Sequence, residues 1–324
     1  MNILKSNLNI DFNRYRIPAT IFSAILLIAS AVSVGMNGLN LGLDFTGGAL
    51  IEVRYEENAD LDTIRTQLEK AKFNKFVVQY FGTSKDVTIR LAPDEQAEEA
   101  VADKESNKAD KVGNEVLTAL RDGVESKITM RRIEFVGPAV GDELAEQGGL
   151  AMLVALIFIM LYVSVRFEWK FAIGSVAALA HDVMITLGLF SIIQMEFNLT
   201  VLAAILAVIG YSLNDTIVVF DRIRENFLKL RKSDSVKVVN ISLNSTLART
   251  LMTSITTLLV LLALFFLGGE LIHGFATALI AGVFIGTYSS IYVASNVALM
   301  LGITKEDLMP VEVEKEGADQ DALI

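Results

Sequence analysis

Six stretches of this chain are apolar over about the length that a helix needs to cross a bilayer, and that constrains the fold more than any other feature. A hydrocarbon core of ~30 Å takes ~20 residues at ~1.5 Å rise per residue. The spans read as 17–36, 148–166, 171–193, 199–221, 250–268 and 272–299. A chain of 324 residues that is 52% hydrophobic is too apolar for an ordinary soluble domain, and the apolar residues cluster in these runs. The first run also reads as a signal peptide, with Arg14 and Arg16 as its basic end and Ala29-Ser30-Ala31 as a cleavage site. Its continuation to Val34, with five further spans behind it, favours an anchor.

Charge assigns the sides. Loops 194–198 and 268–274 contain no Lys or Arg. Basic residues instead precede the first span (Lys5, Arg14, Arg16), sit in the hairpin after the second (Arg166, Lys170) and fill the segment after the fourth (Arg222, Arg224, Lys229, Arg231, Lys232, Lys237). By the positive-inside rule both termini are cytoplasmic: a segment 1–16, a loop 222–249 and a tail 300–324. The long insert 38–147 then lies on the periplasmic side of a bacterial inner membrane, since long domains translocate regardless of their charge. Much of the net charge of −10 is in that insert and in the tail.

The insert reads as one α+β unit. Residues 49–55 form a strand with one apolar face. Asp60 caps a helix whose buried stripe is Leu61, Ile64, Leu68 and Ala71. Residues 75–82 form a strand, 83–86 a turn and 87–91 the return strand. Val116, Leu117 and Leu120 mark a second helix over 115–124, and 128–136 closes with a strand. The order βαββαβ is the ferredoxin-like arrangement. The acidic stretch 93–110 reads as a solvated linker, with an extension of the second helix as the alternative. The expected fold class is therefore a polytopic α-helical membrane protein of six transmembrane helices, with a ferredoxin-like domain between helices one and two.

Several chemistries are excluded. Without cysteine there is no disulfide, thiol nucleophile or Cys-ligated metal. No P-loop is present, and no Lys/Arg stripe escapes its interleaved acids to bind nucleic acid. No Ser–His, paired-aspartate or metal-ligand spacing points to an enzyme, a metal or a bound cofactor.

Three stretches carry a family resemblance. Gly42-Leu43-Asp44-Phe45-Thr46-Gly47-Gly48, just after the first span, resembles the hallmark motif of SecD and SecF proteins. Asn198 to Ile205, continuing through Gly210-Tyr211-Ser212-Leu213-Asn214-Asp215 to Asn226, resembles the fourth-helix signature of that family. Thr246 to Ser254, with Gly286-Thr287-Tyr288-Ser289-Ser290, resembles its closing half. The likeness covers nearly the whole chain, leaving out 93–110 and the tail after Thr304. It implies the resistance–nodulation–division type of membrane fold, in which these helices form half of an assembly and SecD the rest. It also implies a role beside the Sec translocation channel, with membrane lipid around the helices and unfolded preprotein as substrate, in late export driven by an ion gradient. Asp44, Gly47 and Gly48 would then couple domain motion to the helices.

Physical reasoning converges on the same helices. An ionisable residue within a span costs ~2.5–3.5 kcal/mol on insertion scales, which makes it a functional candidate. Asp215 lies near mid-membrane in the fourth span, with Tyr211 and Ser212 one turn earlier on its face, able to hydrogen-bond it. The charge state of a buried carboxyl depends on burial and on nearby cations, so such a group can load and release an ion as its surroundings alternate. Its candidate cation is Arg249, in a polar stripe of Thr246, Arg249, Thr250, Thr253 and Thr257. A carboxylate flanked by Ser212, Asn214 and Thr216 suits either a proton or sodium. A plain packing pair of Asp215 with Arg249 is the structural alternative. His181 and Asp182, inside the third span, are either a second relay or a satisfied polar pair. Gly274, Ala278, Gly282 and Gly286 form a small-residue face for close helix packing. Two other functions compete: a half-transporter for small molecules or lipids, and an assembly scaffold without transport.

Overall fold

The computed structural model describes residues 10–73, 75–92, 105–121, 127–230, 232–305 and 307. A turn at Phe12–Tyr15 leads into α1 (Arg16–Asn37), the one-turn α2 (Leu43–Thr46) and β1 (Gly48–Tyr55). Then come α3 (Leu61–Lys70), β2 (Phe76–Phe81), β3 (Thr83–Leu91), α4 (Glu105–Arg121) and β4 (Ile128–Val136). The bundle continues with α5 (Pro138–Arg166), α6 (Trp169–Ile193), α7 (Leu199–Lys229), α8 (Ser235–Leu267) and α9 (Glu270–Ser289). A π-helical turn, Ser290–Ala294, joins α9 to α10 (Ser295–Met300). Among the described residues six helical segments are long and apolar enough to span a membrane.

The domain is the expected ferredoxin-like unit. Its sheet has the order β2-β3-β1-β4, antiparallel throughout, so each helix crosses over an intervening strand. One face of the sheet buries Ile51, Val53, Val87 and Ile89 against Ile64 and Leu68 of α3 and Val116 and Leu120 of α4. Local details differ from the sequence reading. Ala71 is the exposed cap of α3 rather than part of its stripe, because the chain leaves the helix there and turns at Lys72, φ +67°. The β2–β3 hairpin turns at Gly82, φ +72°, so residues 83–86 already belong to β3. From Glu105 the acidic stretch is helix rather than linker, since α4 needs that length to lay Val112 and Val116 on the sheet. Residues 93–104 lie outside the described set, as does the expected end of this helix at 122–124.

Next to the hairpin, Arg54 holds Asp86 through two bonds, Nε–Oδ1 at 2.5 Å and Nη2–Oδ2 at 2.6 Å, and Thr83 Oγ1 adds a third at 2.6 Å. The guanidinium is the main cause that brings the Asp86 carboxyl from 3.8 down to about 2. A lowered native value stabilises the fold above the ordinary carboxylate range, and that contribution is lost as pH falls through the native value. Unfolding of the domain should therefore become easier between about pH 4 and about pH 2. Asp86→Asn should flatten that part of a stability-versus-pH curve; an unaltered slope refutes the assignment.

In the bundle, α6 and α7 are central: half of each apolar window is buried, against 11% for α5. The packing inverts that of a soluble protein. Ser23, Ser30 and Ser33 of α1 are buried, while Ile17, Ile21, Ile25 and Ile28 are exposed where lipid would lie. Ser33 Oγ meets Ser191 Oγ of α6 at 2.9 Å, which suits helices that associate through small and polar residues.

The small face of α9 packs inside the chain. A Cβ on Gly282 would stand 2.1 Å from a Val208 methyl of α7, and one on Gly274 3.1 Å from Val201. Gly282→Leu should force α7 from α9 and destabilise the protein by about 1–3 kcal/mol. Gly210→Ala, with nothing within 4 Å of the added Cβ, should be silent in the same detergent melt.

Two boundaries also change. The segment 222–249 is not a loop: α7 runs to Lys229, α8 starts at Ser235, and only a short connection separates them. Ile223 and Phe227 pack with Val238, Val239, Leu243 and Leu247, which gives the helix extensions their own core. Residues 10–12 of the N-terminal segment dock on α8, with Ile10 and Phe12 amides donating to Asn244 and Asn240 at 2.7 and 2.9 Å. At the other end α5 begins at Pro138, ahead of the expected 148, so the helix emerges from the bundle to meet the domain.

Candidate functional site

Three central helices converge on Asp182. This α6 carboxyl is 1% exposed; its Oδ2 accepts from Ser212 Oγ of α7 at 2.6 Å and Ser289 Oγ of α9 at 2.8 Å. Oδ1 lies 3.0 Å from His181 Nδ1. Gly286 makes this closeness possible, since a Cβ there would sit 3.0 Å from Ser212 Cβ and 3.5 Å from the Asp182 carboxylate. The His181 ring stacks at 6.2 Å on Tyr288, whose hydroxyl donates to Ala19 O of α1 at 2.8 Å. His181 Nε2 is buried and has no partner among the described residues. The π-helical turn begins directly after Ser289, an irregularity of a type frequent at functional sites.

Asp215 lies one helical turn beyond Ser212 and is also buried. Its Oδ2 has no hydrogen-bond partner among the described residues, and the same holds for the Tyr211 hydroxyl and Thr250 Oγ1. The expectation that Ser212 bonds Asp215 is thus corrected: its hydroxyl is directed across the helix interface to Asp182, whose two-oxygen acceptor lies in the packed α6–α7 seam. Arg249 of α8, its expected cation, is near enough for its charge to act on Asp215 but forms no ion pair with it among the described residues. Arg249 itself is exposed in the isolated chain, as is Asn214, and Thr253 returns its hydroxyl to the carbonyls of Arg249 and Thr250. The stripe on α8 therefore divides, with Thr246 and Thr250 buried in this chain and Arg249 on its surface. Ser254, one turn further, bonds Thr287 of α9 at 2.7 Å.

Sequence reasoning missed Ser289 and the place of Tyr288. Both stand in the run Gly286–Ser290, but their i+3 or i+4 partners are ordinary, so nothing local marked them as facing a carboxyl on another helix.

The motif after α1 forms a second focus. Gly42 N donates to Phe197 O and Phe197 N to Asn40 O, both at 2.8 Å, so this loop is stitched to the α6–α7 connection. Asp44 Oδ2 accepts from Leu199 N at 2.8 Å and, with Asn198, caps α7. Gly47 and Gly48, at φ +66° and +113°, turn the chain into β1. A Cβ on Gly141 of α5 would come within 2.9 Å of Gly47 N. From β3, Arg90 pairs with Glu196 at 2.6 Å and donates to Leu41 O at 3.0 Å. The domain is thereby attached to the ends of α5 and α7, the helix that carries Ser212 and Asp215.

A six-span bundle with buried carboxyls at its centre and a ferredoxin-like domain tied to its end defines a polytopic membrane protein with an extramembrane α+β domain. Residues 115–304 match the model for the C-terminal part of the protein export membrane proteins SecD/SecF, and residues 32–59 match the SecD/SecF GG motif. The chain is 54% identical over 321 residues to protein translocase subunit SecF of Vibrio alginolyticus, covering 99% of both. It is 47% identical to the subunit of the same name from Escherichia coli O157:H7, covering 97% of this chain and 94% of that one. The crystal structure of SecDF, a translocon-associated membrane protein from Thermus thermophilus, superposes with a TM-score of 0.78 at 38% identity over 92% of this chain. The chain spans only 39% of that longer protein. It belongs to the SecD/SecF family of protein-export membrane proteins.

Proposed function

We propose that the chain is the SecF-type subunit of a bacterial export machine, and that with a SecD-type partner it uses an ion gradient to promote late export of preproteins. The observation that carries the ion-coupled part is Asp215: an ionisable side chain buried in a spanning helix, with an unpartnered oxygen, in the field of Arg249. A group so costly to bury is retained where its charge can change. Arg249 and Asn214, polar groups on the surface of this chain on and beside the helix that carries Asp215, support a partner at that face. The ties from Asp44 to Leu199 and from Arg90 to Glu196, at the start of α7, give the domain a lever on the helix that carries Asp215. On this reading the domain is periplasmic and moves as the helices cycle, holding and releasing unfolded chain.

The test is export of a late translocation intermediate in vesicles that contain the complete export complex with this subunit. Release of the intermediate should follow an imposed proton gradient and fail under a sodium gradient of equal magnitude. Equal release with either gradient collapsed would refute ion coupling; release with sodium alone would reassign the ion.

A further inference from the structure

We infer that Ser212 is a hydroxyl relay that passes a proton between two buried carboxyls, Asp182 and Asp215, and that His181 loads the first of them. The inference rests on the reading of Asp215 as the working carboxyl and adds the route that supplies it.

Four observations lead there. The Ser212 hydroxyl donates to Asp182 Oδ2 at 2.6 Å, so one end of the route is already formed. On α7, Asp215 follows Ser212 by one turn, on the same face. Side chains three apart on a helix are neighbours on one face, which is within reach of a hydroxyl–carboxylate bond. The receiving atom, Asp215 Oδ2, is buried with no partner among the described residues, and a change of rotamer at Asp215 brings it to the Ser212 oxygen while that oxygen keeps its contact with Asp182. At the loading end, His181 Nδ1 lies 3.0 Å from Asp182 Oδ1 while Nε2 is buried with no partner among the described residues. If Asp182 served only to pin α6, α7 and α9, its two serine bonds would suffice and the imidazole would add nothing.

The step balances in protons and charge. The step starts from the His181 tautomer with its hydrogen on Nδ1, directed to Asp182 Oδ1. A proton arriving at Nε2 makes the ring cationic, and the Nδ1 proton then passes to Asp182 Oδ1, which leaves a neutral ring protonated at Nε2. A half-turn of the neutral Asp182 carboxyl presents that proton to Ser212 Oγ, and Ser212 releases its own hydrogen to Asp215. The negative charge has moved from Asp215 to Asp182, and exchange of the ring tautomer resets His181. Nothing is oxidised or reduced. Other groups around the route are few among the described residues: Ser289 and Tyr288 from α9, Ser23 from α1 at the Tyr288 hydroxyl, and Arg249 from α8 beyond Asp215.

Ser33 supplies the control, because its buried hydroxyl bonds Ser191 of α6 across a helix interface but meets no carboxyl. Proton flux should be followed with an entrapped pH-sensitive dye in vesicles holding the full complex, with partner co-purification as the measure of assembly. Ser212→Ala should lower flux about ten-fold or more with the complex intact, while Ser33→Ala keeps most of it. His181→Gln should also lower flux. Wild-type flux in Ser212→Ala overturns the relay, and so do equal losses in the two serine variants or loss of the complex in both, since these outcomes assign the hydroxyls to packing. The underlying reading fails separately, if wild-type vesicles pass no protons or Asp215→Asn leaves the flux unchanged.

Discussion

Asp215→Asn should abolish gradient-driven release of a late export intermediate, leaving less than about a tenth of the wild-type rate, while the subunit still inserts and binds its partner. Asparagine has the same shape and removes only the ability to change charge, so packing around α7 is conserved and ion loading is not. Insertion becomes easier, because an amide is less costly in a span than a carboxylate. Arg249→Met should give a loss of similar size by removing the charge that acts on the same carboxyl. The double variant should be no worse than either single one, since groups that act as a unit are non-additive. The measurement is the release rate at matched subunit levels with the gradient imposed. Undiminished release in Asp215→Asn refutes the motor reading, and losses that multiply in the double variant separate Arg249 from Asp215. A scaffold without transport predicts silence from both. The small-residue face of α9 is not open to such a partner, because Val201 and Val208 of α7 already occupy it at Gly274 and Gly282.

The helices and the domain class were legible because their signals are local. Span length is a matter of consecutive apolar residues, and alternation in 49–55 or the helical spacing of Ile64 and Leu68 reports burial within one element. Helix ends were harder. Beyond Asp221 the chain becomes basic and reads as loop, yet Ile223, Phe227, Val238 and Leu243 keep the helix periodic and bury one another. The site was readable only as a set of candidates. A carboxyl inside a span is visible at once, so Asp182 and Asp215 both stood out. Which hydroxyl serves which carboxyl depends on helix rotation and on contacts between residues far apart in the chain. Ser212 could satisfy Asp215 on spacing alone; the close approach permitted by Gly286 turns it to Asp182 instead. The same non-locality hid Ser289, and it hid the use of Asp44 as a cap for α7, a helix distant in sequence.

That cap and its glycines bring the second large effect. Gly48→Val should reduce export by about an order of magnitude without displacing the spanning helices. At φ +113° the backbone lies where a β-branched residue cannot relax, and strain of this type costs about 1–3 kcal/mol. Gly48 is the first residue of β1 and pairs with Val136 at the end of β4, so the strain falls where the sheet leaves the membrane. The chain can relieve it by rotating Gly47, but Gly47 N is packed close to Gly141 of α5 and cannot turn without moving that helix. Relief therefore comes from loosening the stitch between the motif and residues 196–199, which frees Asp44 from Leu199 N and slackens the lever on α7. Gly38→Ala provides the comparison: its φ of +67° is also positive, but it caps the end of α1 with nothing within 4 Å of the added Cβ and takes no part in the stitch to residues 196–199. A crosslink between cysteines placed at Arg90 and Glu196 reports the docking directly, since these side chains now meet. In the Gly48→Val background that crosslink should form several-fold more slowly, in step with the fall in export. Wild-type crosslinking together with lost export would place the role of Gly48 within the domain, and wild-type export would remove the motif from the coupling path.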